Sequence, residues 1–160
     1  MAARAAGDML VLAGFVVVCL GGGAASGLAT PPGEWYASLA KPAWTPPPWV
    51  FGPAWTALYL MMAVAGWRLW RRRDARPREA RVALVLFAVQ LALNFLWTPV
   101  FFGLQAPGPA LVVIFLLFAA IAATILAAWR ACRTAAALLV PYLAWVAFAS
   151  ALNAAIWRMN

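Results

Sequence analysis

Phe51, Trp55, Tyr59 and Met62 recur at spacings of four, four and three, which places them on one face of a helix. Near the C-terminus Tyr142, Trp145 and Ala149 share a second such face, with Asn153 one turn further on, and Gln90, Asn94 and Trp97 share a third. Flat rings supply stacking area and amides fix orientation, so three such faces turned toward one interior would hold a large, flat, amphipathic ligand. Conventional catalysis has no equipment here. The chain lacks histidine altogether, which removes the usual neutral-pH proton carrier and the commonest metal and haem-iron ligand, and it shows no acid–base dyad or activated nucleophile. No metal site and no bound cofactor are expected. Cys19 lies in an apolar run and Cys132 in a basic connector, at different depths, so no disulfide is expected either.

The elements that must carry these faces are membrane spans. Of the 160 residues, 67% are hydrophobic and 10% charged, with a mean hydropathy of +0.88, well beyond the composition of a soluble domain. Apolar runs at about 9–28, 49–70, 81–103, 110–129 and 135–157 are each long enough to cross the hydrocarbon, so the expected fold is an all-α membrane protein, a single five-transmembrane-helix bundle covering residues 1–160. The first run is read as a retained span and not as a cleaved signal segment. Within it, Gly22 with Ser26 and Gly23 with Gly27 are small pairs four apart, expected to let a neighbouring helix approach. Pro53, Pro99 and Pro141 fall within or near the ends of spans, where each frees a carbonyl. The segment from Ala29 to Pro48 is a proline-rich loop with a short helical turn expected around Glu34 to Leu39.

The net charge of +8 sits beside the spans and not on a separate basic surface, which argues for topology and membrane lipid and against nucleic acid. Arg4, Arg68, Arg71, Arg72, Arg73, Arg76, Arg78, Arg81, Arg130 and Arg133 fall on one side, Lys41 and Arg158 on the other. In a bacterial inner membrane this places the N-terminus in the cytoplasm and the proline-rich loop outside; an outer or organelle membrane is also compatible with the composition. Trp67, Trp70, Trp129 and Trp157 sit at span ends and read as interfacial belts. Trp55 and Trp145 lie further in and do not.

Three strings carry a family resemblance: "WYASLAKPAWTPPPWVFGPAWTALY", "QLALNFLWTPVFFG" and "PYLAWVAFASALNAAIWR". They are similar to the hallmarks of the tryptophan-rich sensory protein family, which includes the mitochondrial translocator protein, also called the peripheral-type benzodiazepine receptor, and the likeness runs from Gly33 to Arg158. The resemblance implies a five-helix bundle, usually a homodimer, with a pocket closed by the first loop and open toward that loop's side. It implies a tetrapyrrole such as a protoporphyrin as ligand, held by Trp35, Trp49, Phe51, Trp55, Tyr59, Asn94, Trp97, Tyr142, Trp145 and Ala149. It also assigns Trp55 and Trp145 to light-dependent porphyrin breakdown. The family's sterol motif is interrupted, because Ala154 and Ala155 stand where its tyrosine belongs.

Sensing or regulation through a bound tetrapyrrole is the leading functional reading, with porphyrin transport and photo-oxidative degradation beside it. Against a carrier stand the absence of an evident inverted repeat and the scarcity of charges within the spans. The charge asymmetry yields a direct test of the architecture. A reporter fused after Asn160 is expected on the opposite side of the membrane from one inserted between Arg73 and Glu79; two reporters on the same side would remove the five-span arrangement.

Overall fold

The structure, a computed structural model, describes residues 2–160, with side-chain surroundings from residue 6 onward, so the side chain of Arg4 lies outside the described residues. Helix α1 (Ala2–Val16) runs through a π-helical turn, Val17–Gly21, into α2 (Gly22–Ala29); a short α3 (Glu34–Ser38) lies in the proline-rich loop. Then follow α4 (Pro48–Trp70), α5 (Pro77–Thr98) with a second π-helical turn at Pro99–Gly103, α6 (Pro107–Ala131) and α7 (Arg133–Met159). Five stretches are long and apolar enough to span a bilayer: Ala6–Ala29, Pro48–Trp70, Pro77–Gly103, Pro107–Ala131 and Arg133–Met159. The chain is an integral, multi-pass, all-α membrane protein.

The helices start a few residues ahead of the apolar runs because Pro48, Pro77 and Pro107 each occupy a first helical turn. There a fixed φ helps and the missing N–H would have had no partner. Cys132 alone, in extended conformation, separates α6 from α7. Both cysteines are buried and free.

Helix contacts close a ring in the order first, second, fifth, fourth and third span: α1 packs on α4, α4 on α7, α7 on α6, α6 on α5, and α5 back on α2. Polar contacts identify the ends. At one end Arg71 Nε lies 3.3 Å from Asp8, Trp67 Nε1 donates to the Asp8 carbonyl at 3.0 Å, and Arg76 Nη1 donates to the Arg130 carbonyl at 2.9 Å. At the other, Asn160 accepts from the Ala40 N–H at 3.0 Å and donates back to the Ala40 carbonyl at 3.1 Å, fastening the loop to the last helix. Three of the four tryptophans read as belts lie under cations, with the guanidinium groups of Arg71, Arg73 and Arg133 over the rings of Trp67, Trp70 and Trp129.

The arginine half is tightly filled. Ala63, Ala65, Ala83, Ala128, Ala135 and Ala136 are fully buried there, and the edge of Phe15 meets Phe87 above Gly66, with ring centroids 6.0 Å apart. Small side chains let helices approach closely, which is how a bundle gains dispersion energy in lipid.

The first span is the least enclosed, with 6% of its central window buried against 28–39% in the others. Neighbouring helices do approach its small residues, and at two of them what comes in is a ring. The Phe95 ring lies on Gly22 and the Tyr59 ring on Gly23, so close that a Cβ at either glycine would fall inside the ring's contact distance. Ser26 Oγ, one turn on, donates to the Phe95 carbonyl at 2.9 Å. That carbonyl is available because the residue four positions later is Pro99, which has no N–H to offer it. The freed acceptor of one helix is satisfied by a hydroxyl of another, as hydrocarbon requires.

Gly23→Ala is therefore expected to displace the Tyr59 ring and cost about 1–3 kcal/mol of stability, as overpacking does. Gly27→Ala, whose Cβ would meet nothing within 4 Å, should stay within about 0.5 kcal/mol of the parent. Thermal unfolding in one detergent measures both; equal effects would mean that the ring-on-glycine contact does not hold the first span.

Candidate ligand-binding cavity

The loop half of the bundle is hollow. A cavity of about 1080 Å3 lies between the spans, at the upper end of the roughly 300–1,000 Å3 usual for small-molecule sites. Its wall comes from α2, α4, α5, α6, α7 and the loop. No lining residue lies on the arginine side of Tyr59 in α4, of Asn94 in α5 or of Trp145 in α7. The cavity thus stops at one level.

That level is a hydrogen-bonded bridge. Tyr59 O–H donates to Asn94 Oδ1 at 2.7 Å, and Asn94 Nδ2 donates to the Tyr142 hydroxyl at 2.9 Å, so one amide joins α4, α5 and α7. Each bond is worth about 1 kcal/mol net, but an orphaned partner at hydrocarbon depth costs about 1–3 kcal/mol. Asn94 is thereby occupied with its neighbours. Gln90, one turn nearer the arginines, is buried to 1% exposure as its position predicts, and neither of its amide atoms has a partner among the described residues. A second amide node sits higher: Trp97 Nε1 donates to Asn153 Oδ1 at 3.1 Å and Asn153 Nδ2 to the Pro107 carbonyl at 2.8 Å, tying α5, α6 and α7 together.

Aromatic contacts order the wall. Trp55 stacks on Tyr59 with centroids 5.3 Å apart and meets Trp145 edge-on at 6.4 Å, while Phe51 meets Trp145 at 5.9 Å. Across the cavity Trp97 stacks on Phe101 at 5.0 Å.

Of the residues expected at the site, Phe51, Trp55, Tyr59, Asn94, Trp97, Trp145 and Ala149 line this one cavity. Tyr142 does not; it is fully buried behind Trp55, 6.3 Å from it between centroids, and acts on the wall through Asn94. Trp35 packs edge-on against Phe101 at 5.9 Å, outside the lining, and braces the loop. Trp49 stands clear of the cavity and is 75% exposed. Six residues before Trp55 amounts to roughly 240° of rotation back from the inward face, because each residue turns a helix by about 100°.

Several lining residues were not singled out from the sequence. Phe101 and Phe102 enter because the π-helical turn at Pro99–Gly103 changes the rotation per residue just after the last regular turn of α5. Tyr36 and Lys41 come from the loop, where no periodicity points inward. Lys41 is the only charged residue in the lining among the described residues. Its Nζ donates to the carbonyls of Ala37 at 3.2 Å and Leu39 at 3.0 Å and lies 4.7 Å from the Tyr36 ring centre, so it closes the end of α3. Burial pushes the Tyr36 phenol up from its ordinary pKa.

The chain matches known proteins over nearly its whole length. A model of the TspO/MBR family matches residues 15–158. The Tryptophan-rich protein TspO of Chlorobaculum tepidum is 44% identical over 162 residues, covering 96% of this chain and 98% of that one. The Tryptophan-rich sensory protein of Cereibacter sphaeroides is 40% identical over 96% of this chain and 93% of its own, and the human Translocator protein is 46% identical over 79% and 75%.

The amide bridge makes a quantitative prediction. Asn94→Leu strands two phenols and should cost about 2–6 kcal/mol, whereas Tyr59→Phe added to it should cost nothing further or recover part of the loss, since it removes a hydroxyl already left without its partner. A double-mutant cycle by unfolding in mixed micelles reads the coupling; strictly additive losses would mean that the bridge does not act as a unit.

Proposed function

The chain belongs to the TspO/MBR family, and from that premise we propose that it is a membrane sensor or regulator that binds a tetrapyrrole of the protoporphyrin type in the cavity above the Asn94 bridge. The observation that carries this reading is the cavity itself: wide, walled by Trp55, Trp97 and Trp145, and closed at one end by hydrogen bonds between spans. Ring faces suit a flat macrocycle, and the lining cation Lys41 suits a ligand with carboxylates at its rim. In a bacterial inner membrane the positive-inside rule puts the arginine end in the cytoplasm and opens the pocket toward the outer side.

A one-ended cavity favours binding over transport. Beyond the bridge the path is filled by Met62, Ala63 and Phe87, each buried, and a carrier would need to open that half as well. Photochemistry fits the same site. Trp55 and Trp145 both line the cavity and touch each other, so either indole is placed to give an electron to a photoexcited macrocycle, with light and dioxygen supplying the remaining chemistry.

Binding and photochemistry separate in two substitutions. Trp55→Phe and Trp145→Phe keep a flat ring, so the dissociation constant for protoporphyrin measured in the dark should rise by no more than about tenfold, the equivalent of roughly 0.5–1.5 kcal/mol for one aromatic contact. Phenylalanine is far harder to oxidise than indole, so the illuminated decay of the porphyrin absorption band at saturation should slow much more than affinity falls. Unchanged decay would leave the two tryptophans as walls only. Failure of the parent protein to bind any member of a tetrapyrrole panel would remove the proposed ligand class.

A further inference from the structure

A second hollow lies on the outside of the bundle at the arginine end, where α4 hands over to α5. It measures about 350 Å3, its surface is almost wholly apolar, and its two arginines stand at the connector end. Toward the connector it is lined by Trp70, Arg73, Pro77 and Arg81; deeper, by Leu84, Val85 and Ala88. From Arg81 to Ala88 is seven residues of helix, about 10 Å of depth at 1.5 Å per residue. That is the distance over which a bilayer passes from phosphate to acyl chain.

The two arginines are differently held. Arg73 is oriented by the protein: its guanidinium lies 4.4 Å from the Trp70 ring centre and its Nη1 donates to the Trp70 carbonyl at 3.1 Å. Its only carboxylate neighbour among the described residues is the solvent-exposed Asp74, at 3.8 Å. Arg81, at the far lip, has no carboxylate within ion-pair distance among the described residues. A pair of cations above an apolar trough complements an anion that carries a hydrocarbon tail.

We propose that this groove binds one anionic phospholipid of the adjoining leaflet, its phosphate between Arg73 and Arg81 and an acyl chain along Leu84, Val85 and Ala88. Basic pockets beside spans hold acidic headgroups in this way, and the apolar half distinguishes a lipid from a free phosphate ion. The groove is separate from the aromatic cavity and shares no lining residue with it.

The test is native mass spectrometry of the whole protein in detergent with equimolar phosphatidylglycerol and phosphatidylcholine. The parent should retain phosphatidylglycerol selectively. Arg73→Gln with Arg81→Gln should cut that preference by about thirtyfold, at about fivefold for each basic group near an anionic headgroup. Arg72→Gln with Arg78→Gln removes the same charge from residues outside the groove and should leave most of the preference. Val85→Trp, which keeps every charge and fills the trough, should weaken lipid retention. The proposal fails if the two double variants lose the preference equally, since the attraction would then be diffuse. It fails too if Val85→Trp binds as the parent does, or if inorganic phosphate at the lipid's own concentration displaces the lipid, which would leave a plain anion site.

Discussion

In hydrocarbon a polar group must find its partner inside the protein, and the carboxamide of Asn94 meets that demand between two phenols. Most features of this bundle follow from that arrangement. Tyr59 and Tyr142 enter from α4 and α7, so the amide sets the depth at which three helices face one another. On the arginine side of it, alanines and a glycine bring the helices into contact. On the loop side, indole and phenyl rings hold them apart. A packed half and a hollow half are thus two outcomes of one choice of side-chain size, divided at a hydrogen-bonded floor.

The same demand explains the attachments of the first span. It contributes little buried surface, and what holds it is specific: the Asp8 contacts with Arg71 and Trp67, Phe15 against Phe87 and Gly66, two rings resting on glycines and one hydroxyl answering the carbonyl that Pro99 leaves free. Pro99 does double service, since it also opens the π-helical turn that delivers Phe101 and Phe102 to the cavity wall. The loop is held by comparably sparse means, the Asn160 amide paired with the Ala40 peptide and Lys41 closing α3. The wall of the cavity is rigid where helices meet and lightly tethered where the loop covers it.

How far the site could be read from sequence depended on whether a regular period ran through it. Phe51, Trp55 and Tyr59 on α4, and Trp145 and Ala149 on α7, obey a helical repeat, and their inward face is the cavity face. Tyr142 obeys the same repeat yet lies behind the wall, because a period gives direction and not depth. Trp49 and Trp35 entered through the family resemblance alone, and a motif match carries no direction; one faces away and the other braces the loop. Lys41, Tyr36, Phe101 and Phe102 stayed hidden for a related reason. They sit in a loop, in its one short helix or in a π-helical turn, and none of these is long enough for a repeat to point inward. The glycines of the first span were legible as small residues, but whether backbone or ring would fill the space beside them depends on a partner helix whose rotation only the folded bundle sets.

The rings themselves form a chain. Trp55 touches Trp145, Trp145 lies 5.8 Å from Phe148, and Phe148 lies 5.7 Å from Trp44, which is half exposed at the surface. Indoles this close exchange electronic excitation faster than they emit it, so the ultraviolet fluorescence of this cluster belongs to the group and not to its members. A quencher seated against Trp55 will darken Trp145 as well, whether or not it touches that second ring. Loss of intensity therefore counts occupied molecules without revealing which indole the occupant meets, and removing one tryptophan will redirect the emission instead of subtracting an equal share of it.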